Sequence, residues 1–223
     1  MTVAPLAVPF WSTEEIEAAL PSAIAHLNAR KVLAYPTETV YGFGGGVDRE
    51  SVNNLIALKG RPPNKPFLLI ISSSDMITRL GLHLTSYASQ LAARFWPGPL
   101  TLVLPGGEKR VPEQLRGPEG GIAVRWTPHR GLSRLVQAYG EPITSTSANR
   151  PGTPPATNSS DIIDQWGDAI TRGALHVLDG GQLTDSPPST VVDCTGSRPR
   201  VIRPGAIPSA VLRASVPDVI GDT

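Results

Sequence analysis

Apolar residues in this 223-residue chain follow two rhythms. In some stretches they return every three or four positions, the mark of a helix with one buried face. In others they run together for four or five residues, the mark of a buried strand. Ser12 and Glu15 have capping-box spacing, and Ile16, Leu20, Ile24 and Leu27 continue one apolar stripe, with Pro21 expected to kink or restart the helix. His26, near the end of that stripe, reads as a surface or capping residue. A strand over 32–35 follows, runs into Pro-Thr-Glu-Thr, and gives way to a glycine-rich turn at Gly42 and Gly44 to Gly46. Val52, Leu55 and Ile56 then predict a helix stopped by Gly60.

The run 67–71 is almost continuously apolar and predicts a strand covered on both faces. A helix over 85–95 leads to a turn at Trp96-Pro-Gly-Pro, with the tryptophan in the core, and then to a strand over 100–104. A polar loop to Gly121 and a strand over 122–126 come next. Pro142 starts a strand-like Pro-Ile-Thr, and the Pro/Ser/Thr-rich stretch 151–160 reads as a flexible loop, either a lid or an inert connection, before a short helix near 161–166. Strands over 174–178 and 189–193 and a helix over 208–213 close the pattern. Residues 1–11 are expected as a lead-in, 12–214 as one domain and 215–223 as a tail. With no solenoid-period repeat and several hairpin-like returns, the fold class is α/β with a mixed sheet.

Composition narrows the partners. A net charge of +1 gives no global pull toward nucleic acid or a membrane surface, and aromatics at 5% supply few stacking platforms for RNA. No run approaches the roughly 18 apolar residues of a membrane span, and the start lacks a basic leader. The single cysteine, Cys194, lies in an apolar strand and reads as a buried reduced thiol, which places the chain in the cytoplasm. No histidine or cysteine cluster suggests zinc.

Three places carry candidate chemistry. Lys59, Arg61 and Lys65 surround the end of the second helix. They are either cations favoured by the helix dipole, or an anion site in which Arg61 grips phosphate oxygens between two point charges. Arg125 sits in a half-buried strand and requires a carboxylate or phosphate partner, whether a structural ion pair or a ligand. Ser145, Ser147 and Asn149 crowd one strand end as turn and cap formers; a serine nucleophile lacks both G-x-S-x-G and an obvious histidine base.

PTETVYGFG followed by KGRPPNKPF resembles the YrdC-type threonylcarbamoyl-AMP synthases, and the likeness continues through FWPGPLTLVL, IAVRWTPH, PITSTSAN, STVVD and IRPGAI. The resemblance implies a strongly twisted mixed β-sheet flanked by helices, with a concave basic cleft. It implies condensation of L-threonine, bicarbonate or CO2 and ATP, carried with Mg2+, into threonylcarbamoyladenylate and pyrophosphate. Lys59, Arg61, Ser147, Asn149 and Arg203 would bind ATP or the adenylate, and Thr37, Arg125, Ser145 and Ser189 would hold threonine. Lys65 would be a further anion contact. No covalent nucleophile and no metal-ligating side chain is implied. The product would pass to a tRNA threonylcarbamoyl transferase complex, with weak direct tRNA contact a further expectation. Where many relatives carry histidine this chain has Ile70, so that contact does not carry over. Relatives with a C-terminal domain fold it over the site; here closure is expected from elsewhere. The competing functions are an RNA-binding module and a carbamoyl-adenylate enzyme of hydrogenase maturation or antibiotic tailoring.

Overall fold

The computed structural model describes residues 6–60, 66–184 and 186–221. Its first helix, α1 (Thr13–Asn28), starts on the expected capping box: the Glu15 N–H donates to Ser12 Oγ at 3.2 Å, and the Ser12 N–H to Glu15 Oε2 at 2.9 Å. Pro21 neither stops nor restarts it. Its ring is exposed, so the carbonyl it leaves without an amide partner lies on the solvent side. β2 (Val32–Tyr35) is wholly buried, as its apolar run requires.

The glycine-rich turn is a strand instead. β3 (Gly42–Gly44) pairs antiparallel with β2, and with β7 (Ile143–Ser147) on its other side. A Cβ at Gly44 would lie 1.9 Å from the Thr144 carbonyl oxygen, so these glycines allow backbones to close up. α2 (Arg49–Lys59) is capped by the Asp48 carboxylate and ends on Gly60 at φ 63°, as expected.

β4 (Leu68–Ile71), α3 (Asp75–Arg79), α4 (Ser86–Phe95) and β5 (Leu100–Leu104) come next, with Thr85 capping α4. β6 (Ile122–Trp126) leads directly into α5 (Arg130–Tyr139), a helix beyond those expected, with Leu132, Leu135 and Val136 buried at helical spacing. α6 (Ser159–Thr171) runs past the expected short helix, bending at Trp166, whose ring meets Phe43 edge-on at 4.8 Å. β8 (Leu175–Asp179), β9 (Thr190–Asp193), β10 (Arg200–Arg203) and α7 (Ser209–Ser215) complete the chain.

Among the described residues ten strands, counting β1 (Val8–Pro9), form one mixed sheet in the order β1-β8-β2-β3-β7-β4-β6-β5-β9-β10. β1 (Val8–Pro9), in the stretch expected as a lead-in, runs parallel to β8 at one edge, and the fully buried Phe10 beside it packs on Gly131 of α5. At the other edge Ile220 bridges Arg200, with Val216 and Val219 buried beneath, so the expected tail is docked as far as residue 221.

Alternation along the central strands separates two surfaces. Leu100, Leu102 and Leu104 of β5 and Ile122 and Val124 of β6 are fully buried, whereas Thr101, Val103, Ala123 and Arg125 line a cleft. β4 does not divide this way: the expected cover on both faces holds from Leu69 to Ile71 and fails only at Leu68. That residue faces the cleft and is only half-buried, while Leu69, Ile70 and Ile71 are buried.

Candidate functional site

The cleft measures about 940 Å³ and is floored by side chains of β4, β5, β6, β7, β9 and β10. Its charged lining is mixed, with Arg125, Arg200 and Arg203 set among Glu119 and Asp193. Arg200 Nη2 bridges those two carboxylates, at 3.0 Å from Glu119 and 3.4 Å from Asp193.

Ser147 lines one side of the cleft and is hydrogen-bonded to Lys59 and Asn149. Lys59 is 6% exposed, and its Nζ donates to the Ser147 carbonyl at 2.5 Å, the Asn149 carbonyl at 2.5 Å and Asn149 Oδ1 at 2.6 Å. Ser147 Oγ donates to the same Oδ1 at 2.6 Å, and Asn149 Nδ2 to the Thr153 carbonyl at 2.6 Å. The helix-end lysine and the Ser-x-Asn strand end are thus one hydrogen-bonded unit. Arg61 and Lys65 lie outside the described residues.

Across the floor, Arg125 and Arg203 approach each other. Burial first, and then the like charge of Arg125, hold the Arg203 guanidinium below its ordinary range. Arg203 Nη2 donates to the Ser189 carbonyl at 2.7 Å and to Ser189 Oγ at 3.0 Å, and Ser189 Oγ shares a 2.9 Å hydrogen bond with Thr101 Oγ1. Arg125 meets the partner its burial demands in Glu38, whose Oε1 it contacts through Nη2. Glu38 went unremarked in the sequence. A lone acid inside a turn motif carries no periodicity, and only the need of Arg125 for a counter-charge pointed toward it.

Thr37 and Ser145 also line the cleft. Thr37 Oγ1 is occupied by its own turn, donating to the Val40 carbonyl at 2.6 Å and accepting from the Thr39 and Val40 amides. Tyr41 Oη fastens the neighbouring chain to the turn after β8, donating to the Gly181 carbonyl and accepting from the Gly180 N–H, each at 2.9 Å. Ile70 pairs with Arg125 and Ile143, and is 2% exposed.

Neither Ser145 nor Ser147 has a hydrogen bond to a histidine among the described residues, so neither shows the base that an activated serine needs. Burial, and then the charge of Asp193, push the Cys194 thiol up to about 12. Among the described residues no three His, Cys, Asp or Glu side chains cluster, and no helix is long and apolar enough to cross a membrane.

A mixed ten-stranded sheet flanked by helices, with one cleft lined by Arg125, Arg200 and Arg203, defines an α/β protein with a pocket of small-molecule size. The chain belongs to the Sua5/YciO/YrdC family, whose model, described as telomere recombination, matches residues 25–205. It is 37% identical over 175 residues to the threonylcarbamoyl-AMP synthase of Chromohalobacter salexigens, covering 78% of this chain and 91% of that one. It is 36% identical over 187 residues to the threonylcarbamoyl-AMP synthase of Pyrococcus abyssi, covering 83% of this chain and 54% of the relative, so it spans about half that protein. The structure of P. abyssi Sua5 complexed with L-threonine superposes with a TM-score of 0.84 at 30% identity, over 96% of this chain and 62% of that one. YciO of E. coli, at 23% identity and a TM-score of 0.78, shares the fold.

Proposed function

We propose that the protein is a threonylcarbamoyl-AMP synthase, a nucleotidyltransferase that condenses L-threonine, bicarbonate or CO2 and ATP into threonylcarbamoyladenylate and pyrophosphate. The observation that carries this reading is that Arg125 and Arg203 line the same cleft as Ser147, which is hydrogen-bonded to Lys59 and Asn149. One side suits an amino-acid carboxylate and the other a nucleotide. Arg125, with Ser145 and Ser189, holds threonine, and Thr37 lines the same cleft with its hydroxyl engaged by its own turn. Ser147 and Asn149, pinned by Lys59, orient the nucleotide, and Arg203, Arg61 and Lys65 offset phosphate charge.

The neutral threonine amine attacks the carbon of CO2, one C=O π pair moves to oxygen, and the nitrogen loses a proton to water, giving a carbamate. A carbamate oxygen then attacks the α-phosphorus, and pyrophosphate leaves. Positioning and charge neutralisation suffice for this sequence, and no side-chain nucleophile takes part. Magnesium enters as MgATP, held by phosphate oxygens and water. This suits a lining whose two carboxylates, Asp193 and Glu119, are committed to Arg200. The unit carrying this chemistry spans 12–214 in our reading. Its product serves a tRNA-modifying transferase in the cytoplasm, a compartment in which a buried thiol stays reduced.

The test is pyrophosphate release by the purified protein with MgATP and bicarbonate, comparing L-threonine, L-serine and no amino acid. Release that needs both threonine and bicarbonate is expected. A folded, ATP-binding protein that releases none would overturn the reading.

A further inference from the structure

Glu38 has no part in the site assigned above, yet it joins that site to the rest of the fold. Its two oxygens serve different partners: Oε1 accepts from Arg125 Nη2, and Oε2 accepts from Thr127 Oγ1 at 2.8 Å. Thr127 Oγ1 accepts in turn from the backbone N–H of His129 at 3.1 Å. His129 is the N-cap of α5, its Nδ1 accepting from the Leu132 N–H at 3.1 Å. An unbroken chain of hydrogen bonds therefore runs from the start of α5 through Thr127 and Glu38 to Arg125.

Arg125 Nε reaches the Gly98 carbonyl at 3.4 Å, so two of its three nitrogens are tethered. Two tethers fix the plane of a guanidinium. The third nitrogen, Nη1, has no protein partner among the described residues, and the side chain lines the cleft. Glu38 does not line it. Its carboxylate, 21% exposed against 6% for the Arg125 side chain, holds Arg125 without itself lining the cleft.

We propose that Glu38 is a positioning residue for the amino-acid half of the reaction, holding the Arg125 guanidinium in the orientation that offers Nη1 to the substrate carboxylate. The inference rests on the synthase reading and adds to it a residue, with Thr127 as its support. A charged hydrogen bond with correct geometry is about twice as strong as a neutral one, and a guanidinium free to rotate loses that geometry.

Glu38→Gln keeps the shape and removes the charge. Calorimetric titration with L-threonine should show affinity reduced roughly tenfold or more, the scale of losing an oriented charged contact. ATP affinity, the thermal midpoint and kcat at saturating threonine should stay close to the parent. Thr127→Val should give a smaller loss of the same kind, and the double variant should lose less than the sum of the two. Threonine binding equal to the parent in Glu38→Gln overturns the positioning role and leaves the synthase reading intact. A loss confined to kcat also overturns it, because that is the signature of a proton-transfer group. If the unaltered protein binds no threonine, the synthase reading fails and this inference fails with it. Should Glu38→Gln not fold, Thr127→Val decides alone, since it leaves both charges in place: unchanged threonine affinity there overturns the role.

Discussion

Lys59 holds the end of β7 to the end of α2 with three short hydrogen bonds, so one side chain fixes the strand end proposed to orient the nucleotide. Lys59→Met would leave two carbonyls and an amide oxygen without that partner in a nearly closed space. A stability loss of about 3 kcal/mol is expected, with ATP binding abolished and threonine binding reduced far less. Calorimetry with each ligand checks this, and ATP binding at the parent level would refute the assignment. His129 acts through its neutral ring, because Nδ1 must accept from the Leu132 N–H. Burial first lowers its pKa from an ordinary 6.5, against the opposing pull of Glu38. Its folded-state pKa being depressed, the unfolded chain takes up the proton first, so stability is full above 6.5 and falls as pH drops through the folded value. His26, brought to about 4 chiefly by burial, has the same sign. Chemical denaturation between pH 7 and 4.5 should show declining stability. His129→Asn, which keeps a side-chain cap without a titrating group, should flatten that slope.

At the scale of elements, what was legible is what periodicity can encode. The runs of β2, β5 and β6, the stripe of α1 and the Gly60 stop of α2 all stand where the pattern put them. β3 was not legible, because glycines signal turns locally and only pairing between β2 and β7 makes them a strand. α5 escaped notice between two motif-bearing strands, and with it the start of the chain that orients Arg125. Of the site, Lys59, Ser147 and Asn149 could be named from motif likeness. That Thr37 spends its hydroxyl on its own turn could not, since that depends on the path of four backbone residues. The β3 reading yields a direct comparison. Gly44→Ala should cost about 3 kcal/mol or more by forcing β3 away from β7. Gly60→Ala, at φ 63° with nothing within 4 Å of the new methyl, should cost only about 1 kcal/mol. Urea denaturation of the two variants checks the order, and a reversal would mean that the two strands are not held so close.

Across the whole molecule, the first and last described segments finish opposite edges of one sheet. β1 closes the β8 side and Ile220 closes the β10 side. Phe10 anchors the first of these against α5, so Phe10→Ala should lose about 3–5 kcal/mol. Because α5 also caps the Glu38 chain, threonine affinity should weaken along with stability. A destabilised variant with unchanged threonine affinity would show that the edge and the cleft are uncoupled.

The alternation on β5 and β6 leads further. Every second residue belongs to the core and its neighbour to the cleft. A mutation at Val103 or Ala123 can therefore alter what the floor recognises while the residues that keep the sheet folded go untouched. Selection meets two nearly separate sets of positions written on the same strands. A lineage can drift toward a new substrate by small steps, none of which must pass through an unfolded ancestor.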